Sequence, residues 1–374
     1  MNGPSSEWEA YGVQADPRSV GEPVDGDRLY EHLAGLPDGI LVNDTREPGT
    51  AVPAQPATPP LTPAVAVPEH PVPSQSPAEP EDAFLRGAPA HVGQRPPSYP
   101  SHPLQCPTVR SEDYFAAFTP AVLLDGARVG QLTVRAASLR GDSHNWEGTC
   151  RQDSMVVTRV GPPEAEFLLL AVADGVGSAK YSHVGSYRFT RQAALEVDGE
   201  TERIHAALTA RDEAELRAIA NKAIAHAVSR LGADQDHATT LHVLLVPTDP
   251  RIRERVVFSV GDGGLFVLRE GRWERGDPIH DGTLLDTRTE ALPHAYSTVK
   301  VHLLPTAPGD VLLLGTDGIT NPLTQQDPAF ARHLADAWSG PEVPSLSDFL
   351  WQAQTRAKSY DDDRTVICVW EGTE

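Results

Sequence analysis

The stretch FLLLAVADGVG, from Phe167 to Gly177, indicates a buried β-strand that ends in an acid. Seven apolar or small residues lead directly into Asp174, and glycines follow. A short run this apolar is typical of a buried strand. A carboxylate at the tip of such a strand is costly unless a positive group meets it. We therefore expect a positively charged partner next to Asp174.

The same pattern recurs at three other places in the chain. Two further apolar runs end in Asp-Gly, and the acids there are Asp317 and Asp262. A third group of acids, at positions 361–363, stands just before the apolar run Thr365–Trp370. Mg²⁺ and Mn²⁺ prefer oxygen ligands. Carboxylates gathered at strand ends therefore predict a site for a hard divalent cation.

Composition argues against several classes of protein. The 374 residues carry a formal net charge of −21, which disfavours non-specific nucleic-acid binding, because that needs Lys and Arg to displace counterions from phosphates. The three cysteines are odd in number and widely spaced, so neither a disulfide framework nor a zinc site is indicated. We find no signal-peptide pattern and no run of roughly 18 apolar residues that would span a membrane. A soluble cytoplasmic protein is the expectation.

The uneven distribution of proline divides the chain into three parts. Residues 51–110 hold 16 of the 34 prolines, and a segment of this composition cannot bury a core. We therefore predict a poorly ordered N-terminal segment over residues 1–45, a Pro-rich disordered linker over 46–110 and a folded domain over 111–374.

Within the folded part, short apolar runs alternate with turn signals. Asp125-Gly126 predicts a turn between two strands, and Gly161-Pro162-Pro163 and Asp262-Gly263-Gly264 predict hairpins. A stripe of apolar residues predicts one long helix from Glu202 to Leu231. Many hairpin-linked strands, with helices in separate pairs, favour antiparallel sheets covered by helices over an alternating parallel βαβ fold.

Other site chemistries fit poorly. The sequence contains no phosphate-binding loop of the Gly-x-x-x-x-Gly-Lys-Ser/Thr type, no Gly-x-Ser-x-Gly elbow and no His-Glu-x-x-His pair. Of the fourteen histidines, His144, His183 and His237 lie near the acid motifs.

From Leu132 to Trp370 the motifs resemble those of the metal-dependent serine/threonine protein phosphatases of type 2C, and of a bacterial subgroup in particular. Any one motif is weak, because Asp-Gly alone is usually a turn. Six of them occur in the family's order, with strands placed to present them. They are Ser138–Asp153, Ala173–Gly177, Ala238–Thr240, Val260–Asp262, Gly315–Thr320 and Asp362–Thr365.

The resemblance implies an α+β fold, in which two antiparallel β-sheets form a sandwich flanked by helix pairs in four layers, α-β-β-α. It also implies two Mn²⁺ or Mg²⁺ ions at one end of the sandwich. By that resemblance Asp174 bridges both ions and the Gly175 carbonyl binds one of them, while Asp317 and Asp362 bind the other.

The resemblance implies roles for two further acids. Asp153 would lie close to the ions and hold metal-bound waters, and Asp262 would join Asp317 in a weaker third site. The implied reaction is hydrolysis of phosphoserine and phosphothreonine in proteins by a hydroxide that bridges the two ions. The implied partners are phosphorylated proteins and an opposing serine/threonine kinase.

The phosphate-binding half of the site departs from the family pattern. Many members carry an arginine five residues before the position of Asp153, and here that position is Gly148. Arg140, His144 and Arg151 are the nearby candidates. We therefore hypothesise that His144 or Arg140 binds the substrate phosphate.

Two alternative functions stay open on the sequence. The chain could be a catalytically inactive phosphatase-like module that binds phosphoproteins or a kinase, although the presence of Asp174, Asp317 and Asp362 weighs against this. It could also be a phosphohydrolase for a small phosphate ester, because a metal site determines which bond breaks while the surrounding loops determine the substrate.

Overall fold

The computed structural model describes residues 91–93, 95–101, 105–277, 290–324 and 328–372. The N-terminal segment 1–45 and most of the Pro-rich segment 46–110 lie outside the described residues. None of the helices within the described ranges is long and apolar enough to cross a membrane.

Runs of consecutive strands are separated by helices along the described chain. The strands are β1 (His91–Val92), β2 (Val122–Val129), β3 (Leu132–Leu139), β4 (Ser154–Val160), β5 (Phe167–Ala173), β6 (Leu241–Pro247), β7 (Glu254–Val260), β8 (Gly264–Arg269), β9 (Arg272–Arg275), β10 (Lys300–Pro305), β11 (Val311–Gly315), β12 (Arg356–Ala357) and β13 (Arg364–Trp370). The α-helices are α1 (Tyr114–Phe118), α2 (Asp142–Glu147), α3 (Ser182–Asp198), α4 (Thr201–Ala210), α5 (Glu213–Leu231), α6 (Asp317–Thr324), α7 (Ala329–Trp338) and α8 (Leu346–Ala353).

The long strands form two antiparallel sheets. The first has five strands in the order β10-β7-β6-β5-β4, and the second has six in the order β2-β3-β13-β11-β8-β9. The short strands β1 and β12 pair with each other in parallel. This pairing holds the end of the Pro-rich segment against the folded domain.

Apolar side chains form three cores, and these define four layers. One core lies between the two sheets and includes Leu170, Leu312 and Ile367. A second joins the outer face of the first sheet to α3, α4 and α5. A third joins the outer face of the second sheet to α6, α7 and α8. The predicted α-β-β-α sandwich is confirmed.

Strand β5 shows why its sequence is apolar without a break. Phe167 and Leu169 pack towards the helices, whereas Leu168 and Leu170 pack into the core between the sheets. Successive side chains of a strand point to opposite faces. Because both faces of this strand are covered, every position from 167 to 173 is buried.

Two local predictions were wrong. Asp125-Gly126 lies inside β2, and the turn to β3 falls at Gly130, whose φ of 57° suits glycine. An Asp-Gly pair is tolerated inside β2 because this is an edge strand and Asp125 is exposed. The single predicted helix is two helices, because Arg211 takes a left-handed conformation and Asp212 caps the start of α5.

Replacement of Gly318 by alanine should destabilise the protein, although alanine is the better helix former. A Cβ at this position in α6 would lie 2.0 Å from the backbone oxygen of Asp363. Overpacking of this kind costs about 1–3 kcal/mol. The free energy of unfolding in urea measures it, with Gly340→Ala as the control because a Cβ there meets nothing within 4 Å. Equal stability of the two variants would contradict the described packing.

Candidate active site

Antiparallel pairing brings the acidic strand ends to one edge of the sandwich. Asp153 precedes β4 and Asp174 follows β5, and these two strand ends are neighbours because Ser154 pairs with Ala173. In the other sheet, Gly315 at the end of β11 pairs with Val366 near the start of β13. This second pairing places Asp317 near Asp362 and Asp363.

Asp153 links the two sheets at this edge. Its Oδ2 atom accepts hydrogen bonds from Thr316 Oγ1 at 2.8 Å and from Thr365 Oγ1 at 2.7 Å. Its Oδ1 atom is buried and has no hydrogen-bond partner among the described residues. A buried carboxylate oxygen without a partner is costly, so this atom is a ready ligand for a cation or for a cation-bound water.

Asp174 is held in place by two threonines that precede β6. Its backbone N–H donates to Thr240 Oγ1 at 2.9 Å, and its carbonyl accepts from Thr239 Oγ1 at 2.8 Å. Its carboxyl group lies close enough to those of Asp153 and Asp317 for their charges to act on it. The side chain of Asp174 therefore stands at the centre of the cluster.

The crowded carboxyl groups hold protons in the absence of a cation. Burial, followed by the charges of Asp153 and Asp317, raises the pKa of Asp174 well above its ordinary value. Burial and the charge of Asp363 raise the pKa of Asp153 to about 8. Burial and the charge of Asp262 raise the pKa of Asp317 to about 6. Like charges this close cannot all ionise unless a cation joins them.

Asp362 and Asp262 stand at the exposed side of the cluster. Partial burial, and then the charge of Asp363, raises the pKa of Asp362. Asp262 follows β7 in a glycine-rich turn, and its backbone carbonyl accepts a hydrogen bond from the buried His242 Nε2 at 2.5 Å. The charge of Asp262 acts on Asp317, which is the neighbour it would share in a third site.

The residues present fit a hard divalent ion. The cluster offers carboxylate oxygens, which are the donors that Mg²⁺ and Mn²⁺ prefer. Gly175 also fits, because a Cβ there would lie 2.9 Å from both the Gln152 carbonyl oxygen and the Ser182 side chain. Any other residue would place a Cβ against these atoms, so the backbone next to Asp174 can lie this close to Gln152 and Ser182 only at a glycine.

Both candidate arginines are bonded within the protein. The Arg140 guanidinium donates to Asn145 Oδ1 at 2.6 Å, and to the carbonyls of Thr149 at 3.3 Å and Gln105 at 3.2 Å. Arg140 thereby joins both ends of α2 to the segment that precedes the domain.

Arg151 is buried and bonds to groups inside the domain. Its Nε donates to the Pro120 carbonyl at 3.0 Å, and its Nη1 donates to Ser138 Oγ at 2.6 Å and to the Asp153 carbonyl. The guanidinium therefore supports the backbone at Asp153.

His144 in α2 lies beside the carboxylate cluster. One of its ring nitrogens, an oxygen of Asp362 and an oxygen of Asp363 all lie within 4.8 Å of one another. Burial lowers the pKa of His144, but its hydrogen bond to Asp363 and the charges of Asp363, Asp362 and Asp153 outweigh burial and raise it to about 9. His144 is thus a cation close to Asp362.

Sequence reasoning gave Asp363 no role of its own. Its side chain is 1% exposed and lies 2.9 Å from His144 Nδ1. The available signal was its position in the closing motif, directly after Asp362. Thr316 and Thr365 donate hydrogen bonds to Asp153. Both lie in the six motifs, but the sequence predicts no role for either of them.

The fold and the acidic edge define a sandwich that carries a candidate divalent-metal centre. A family model for protein phosphatase 2C matches residues 140–352, more than half of the chain. The chain belongs to this family, and it is a phosphatase.

Several solved structures are similar to this chain. PppA, a regulatory component of the type VI secretion system in Pseudomonas aeruginosa, is 19% identical with a TM-score of 0.43, over 65% of this chain and 98% of that one. The serine/threonine phosphatase PstP of Mycobacterium tuberculosis is 20% identical with a TM-score of 0.42, over 67% and 100%. The PstP catalytic domain in complex with two manganese ions is 21% identical with a TM-score of 0.41, over 64% and 97%. No curated protein sequence matches the chain significantly.

Metal-free protein should lose stability as the pH rises from about 4 to about 8. A carboxyl group whose pKa is raised by folding stabilises the folded state fully below its unfolded pKa, near 4. That contribution is lost as the pH rises through the folded values, about 6 for Asp317 and about 8 for Asp153. Urea unfolding in the presence of chelator measures the trend.

Added Mn²⁺ should raise Tm more at pH 8 than at pH 6, because the ion must displace these protons to bind. The exposed Asp336→Asn variant serves as a control and should behave as the wild type. A metal-free stability that increases over this pH range, or an Mn²⁺ effect independent of pH, would contradict the described cluster.

Proposed function

We propose that the chain hydrolyses phosphoserine and phosphothreonine in proteins, with two Mn²⁺ or Mg²⁺ ions held by the acidic strand ends. The observation that carries this proposal is the gathering of the strand ends that bear Asp153, Asp174, Asp317 and Asp362 at one edge of the sandwich, where the charges of Asp153, Asp317 and Asp362 all act on Asp174. A carboxyl group between two others can bridge two cations, and family membership supports the same assignment.

Each acid has a distinct role in the proposal. Asp174 would be shared by the two ions, and the Gly175 carbonyl would be a ligand of one of them. Asp317 and Asp362 would be ligands of the other. Asp153, fixed by its two threonines, orients water through its unpartnered Oδ1.

Asp262 adds a weaker third site that it shares with Asp317. The bound ions would activate a water for attack on phosphorus and neutralise charge on the phosphoryl oxygens. No covalent intermediate with the protein is required, which agrees with the absence of a nucleophile motif.

We assign the phosphate contact to His144 in preference to Arg140. The Arg140 guanidinium already donates to three acceptors within the protein. His144 lies beside Asp362, and the surrounding carboxylates favour its charged form. A protonated imidazole at this position can donate from Nε2 to a phosphoryl oxygen.

A role in signalling follows from this activity. Removal of phosphate from serine and threonine opposes a protein kinase, which is the proposed functional partner. Two other functions remain as outcomes of the test. An inactive binding module would bind phosphoprotein without turnover, and an enzyme for small esters would prefer such an ester to a phosphopeptide.

Asp174→Asn should lower kcat/KM for a phosphothreonine peptide by at least about 100-fold, because the bridging carboxylate is lost. Phosphate release with Mn²⁺ measures this, and calorimetry should show weaker Mn²⁺ binding in the same variant. Asp336→Asn, an exposed charge change on α7, is the matched control.

Three results would contradict the proposal. Wild-type activity that persists in excess chelator would rule out the metal mechanism. Tight Mn²⁺ binding with no turnover of any phosphate ester would favour the inactive module. A kcat/KM far higher for p-nitrophenyl phosphate than for several phosphopeptides would favour the small-ester enzyme.

A further inference from the structure

Asp363 is a buried acid that the proposed metal site does not use. Its side chain is 1% exposed, and it lies beside Asp362 at the start of β13. A buried carboxylate is costly unless hydrogen bonds or charges compensate it. Its contacts show which part of the protein supplies this compensation.

Within the described residues, the side-chain hydrogen bonds of Asp363 all reach the segment between β3 and β4. Oδ1 accepts from the Gly141 backbone N–H at 2.7 Å and lies 2.9 Å from His144 Nδ1. Oδ2 accepts from the Gln152 backbone N–H at 2.5 Å. One carboxylate therefore holds the two ends of this segment and the histidine between them.

The contact with Asp363 determines how the imidazole of His144 faces the site. A carboxylate at Nδ1 keeps a proton on that nitrogen and fixes the plane of the ring. The Nε2 atom takes no part in this contact, and it makes no hydrogen bond to any residue in the described ranges. The side chain of His144 is 15% exposed, and one of its ring nitrogens lies within 4.8 Å of an oxygen of the exposed Asp362.

We propose that Asp363 is a positioning residue, which fixes the imidazole of His144 so that Nε2 faces the substrate phosphate. This inference rests on the proposed phosphatase function. The pair takes the place of the arginine that many family members carry where this chain has Gly148. A histidine on a short helix needs such a partner, because its ring would otherwise rotate about χ1 and χ2.

The competing explanation is that Asp363 only holds the backbone. Loss of its bonds to Gly141 and Gln152 would loosen the segment whatever residue stands at 144. The two explanations differ in whether the effect of Asp363 passes through His144. A double-mutant cycle separates them, because residues that act through one another are non-additive.

The experiment compares wild type, Asp363→Ala, His144→Asn and the double variant in kcat/KM for a phosphothreonine peptide with Mn²⁺. Each single variant should lose about 10- to 100-fold, as partners that orient a functional histidine typically do. The double variant should lose no more than about twofold beyond His144→Asn. Full additivity of the two losses would overturn the proposal.

Asp363→Asn tests whether geometry can be restored without the charge. Asparagine has nearly the same shape as aspartate, and its Oδ1 can still accept from Gly141 and from His144. We expect it to recover part of the activity that alanine loses. Activity equal to that of the alanine variant, in a folded protein, would count against an orienting role.

A spectroscopic measurement reports the contact directly. In protein labelled with ¹⁵N-histidine, a proton on His144 Nδ1 should be observed and protected from exchange, and it should be absent in His144→Asn. In Asp363→Ala this signal should be lost while the backbone spectrum of the domain persists. An unchanged Nδ1 signal in that variant would refute the contact.

The matched control is a second histidine–aspartate pair, in which the histidine is buried and the aspartate half-buried. His183 Nε2 lies 3.0 Å from Asp113 Oδ1. Asp113→Asn removes the same charge from a histidine partner and should leave kcat/KM within about twofold of wild type.

Additive losses in the double-mutant cycle, in a wild type that is active, would contradict the positioning role of Asp363 alone. A wild type without metal-dependent activity would contradict the proposed function as well.

Discussion

The candidate site depends on the hydrogen bonds that join Asp153 to the opposite sheet. Asp153 precedes a strand of the first sheet, while Thr316 directly follows β11 and Thr365 lies in β13 of the second sheet. Together with the apolar core between the sheets, this link fixes the acidic strand ends of one sheet relative to those of the other. Because one carboxylate oxygen is held by two hydroxyls and the other has no described partner, the same residue couples packing to cation binding.

A cost in electrostatic energy accompanies this arrangement. Burial raises the pKa of Asp174, Asp153 and Asp317, so the metal-free cluster retains protons that free carboxylates would lose. The apolar layers on both sides of β5 keep these groups together despite their repulsion. A divalent ion removes both the protons and the repulsion, and metal binding is therefore coupled to the stability of the fold.

The sequence predicts the acidic edge well, because the relevant signals are local. An apolar run followed by Asp-Gly places Asp174 and Asp317 at strand ends, and antiparallel pairing then brings those ends together. The pair of His144 with Asp363 is different, because 219 positions separate the two residues and no local pattern joins them. The turn at Gly130 was missed for a related reason, since the register of β2 and β3 decides which glycine turns the chain.

The proposed bridging of two divalent ions by Asp174, at the edge where the sheets meet, can be observed directly. Anomalous scattering from crystals soaked in Mn²⁺ should show two manganese peaks about 3.5–4 Å apart, both in contact with the Asp174 carboxylate and one of them also with Asp317. A single peak remote from Asp174, or no peak at this edge at saturating Mn²⁺, would contradict it.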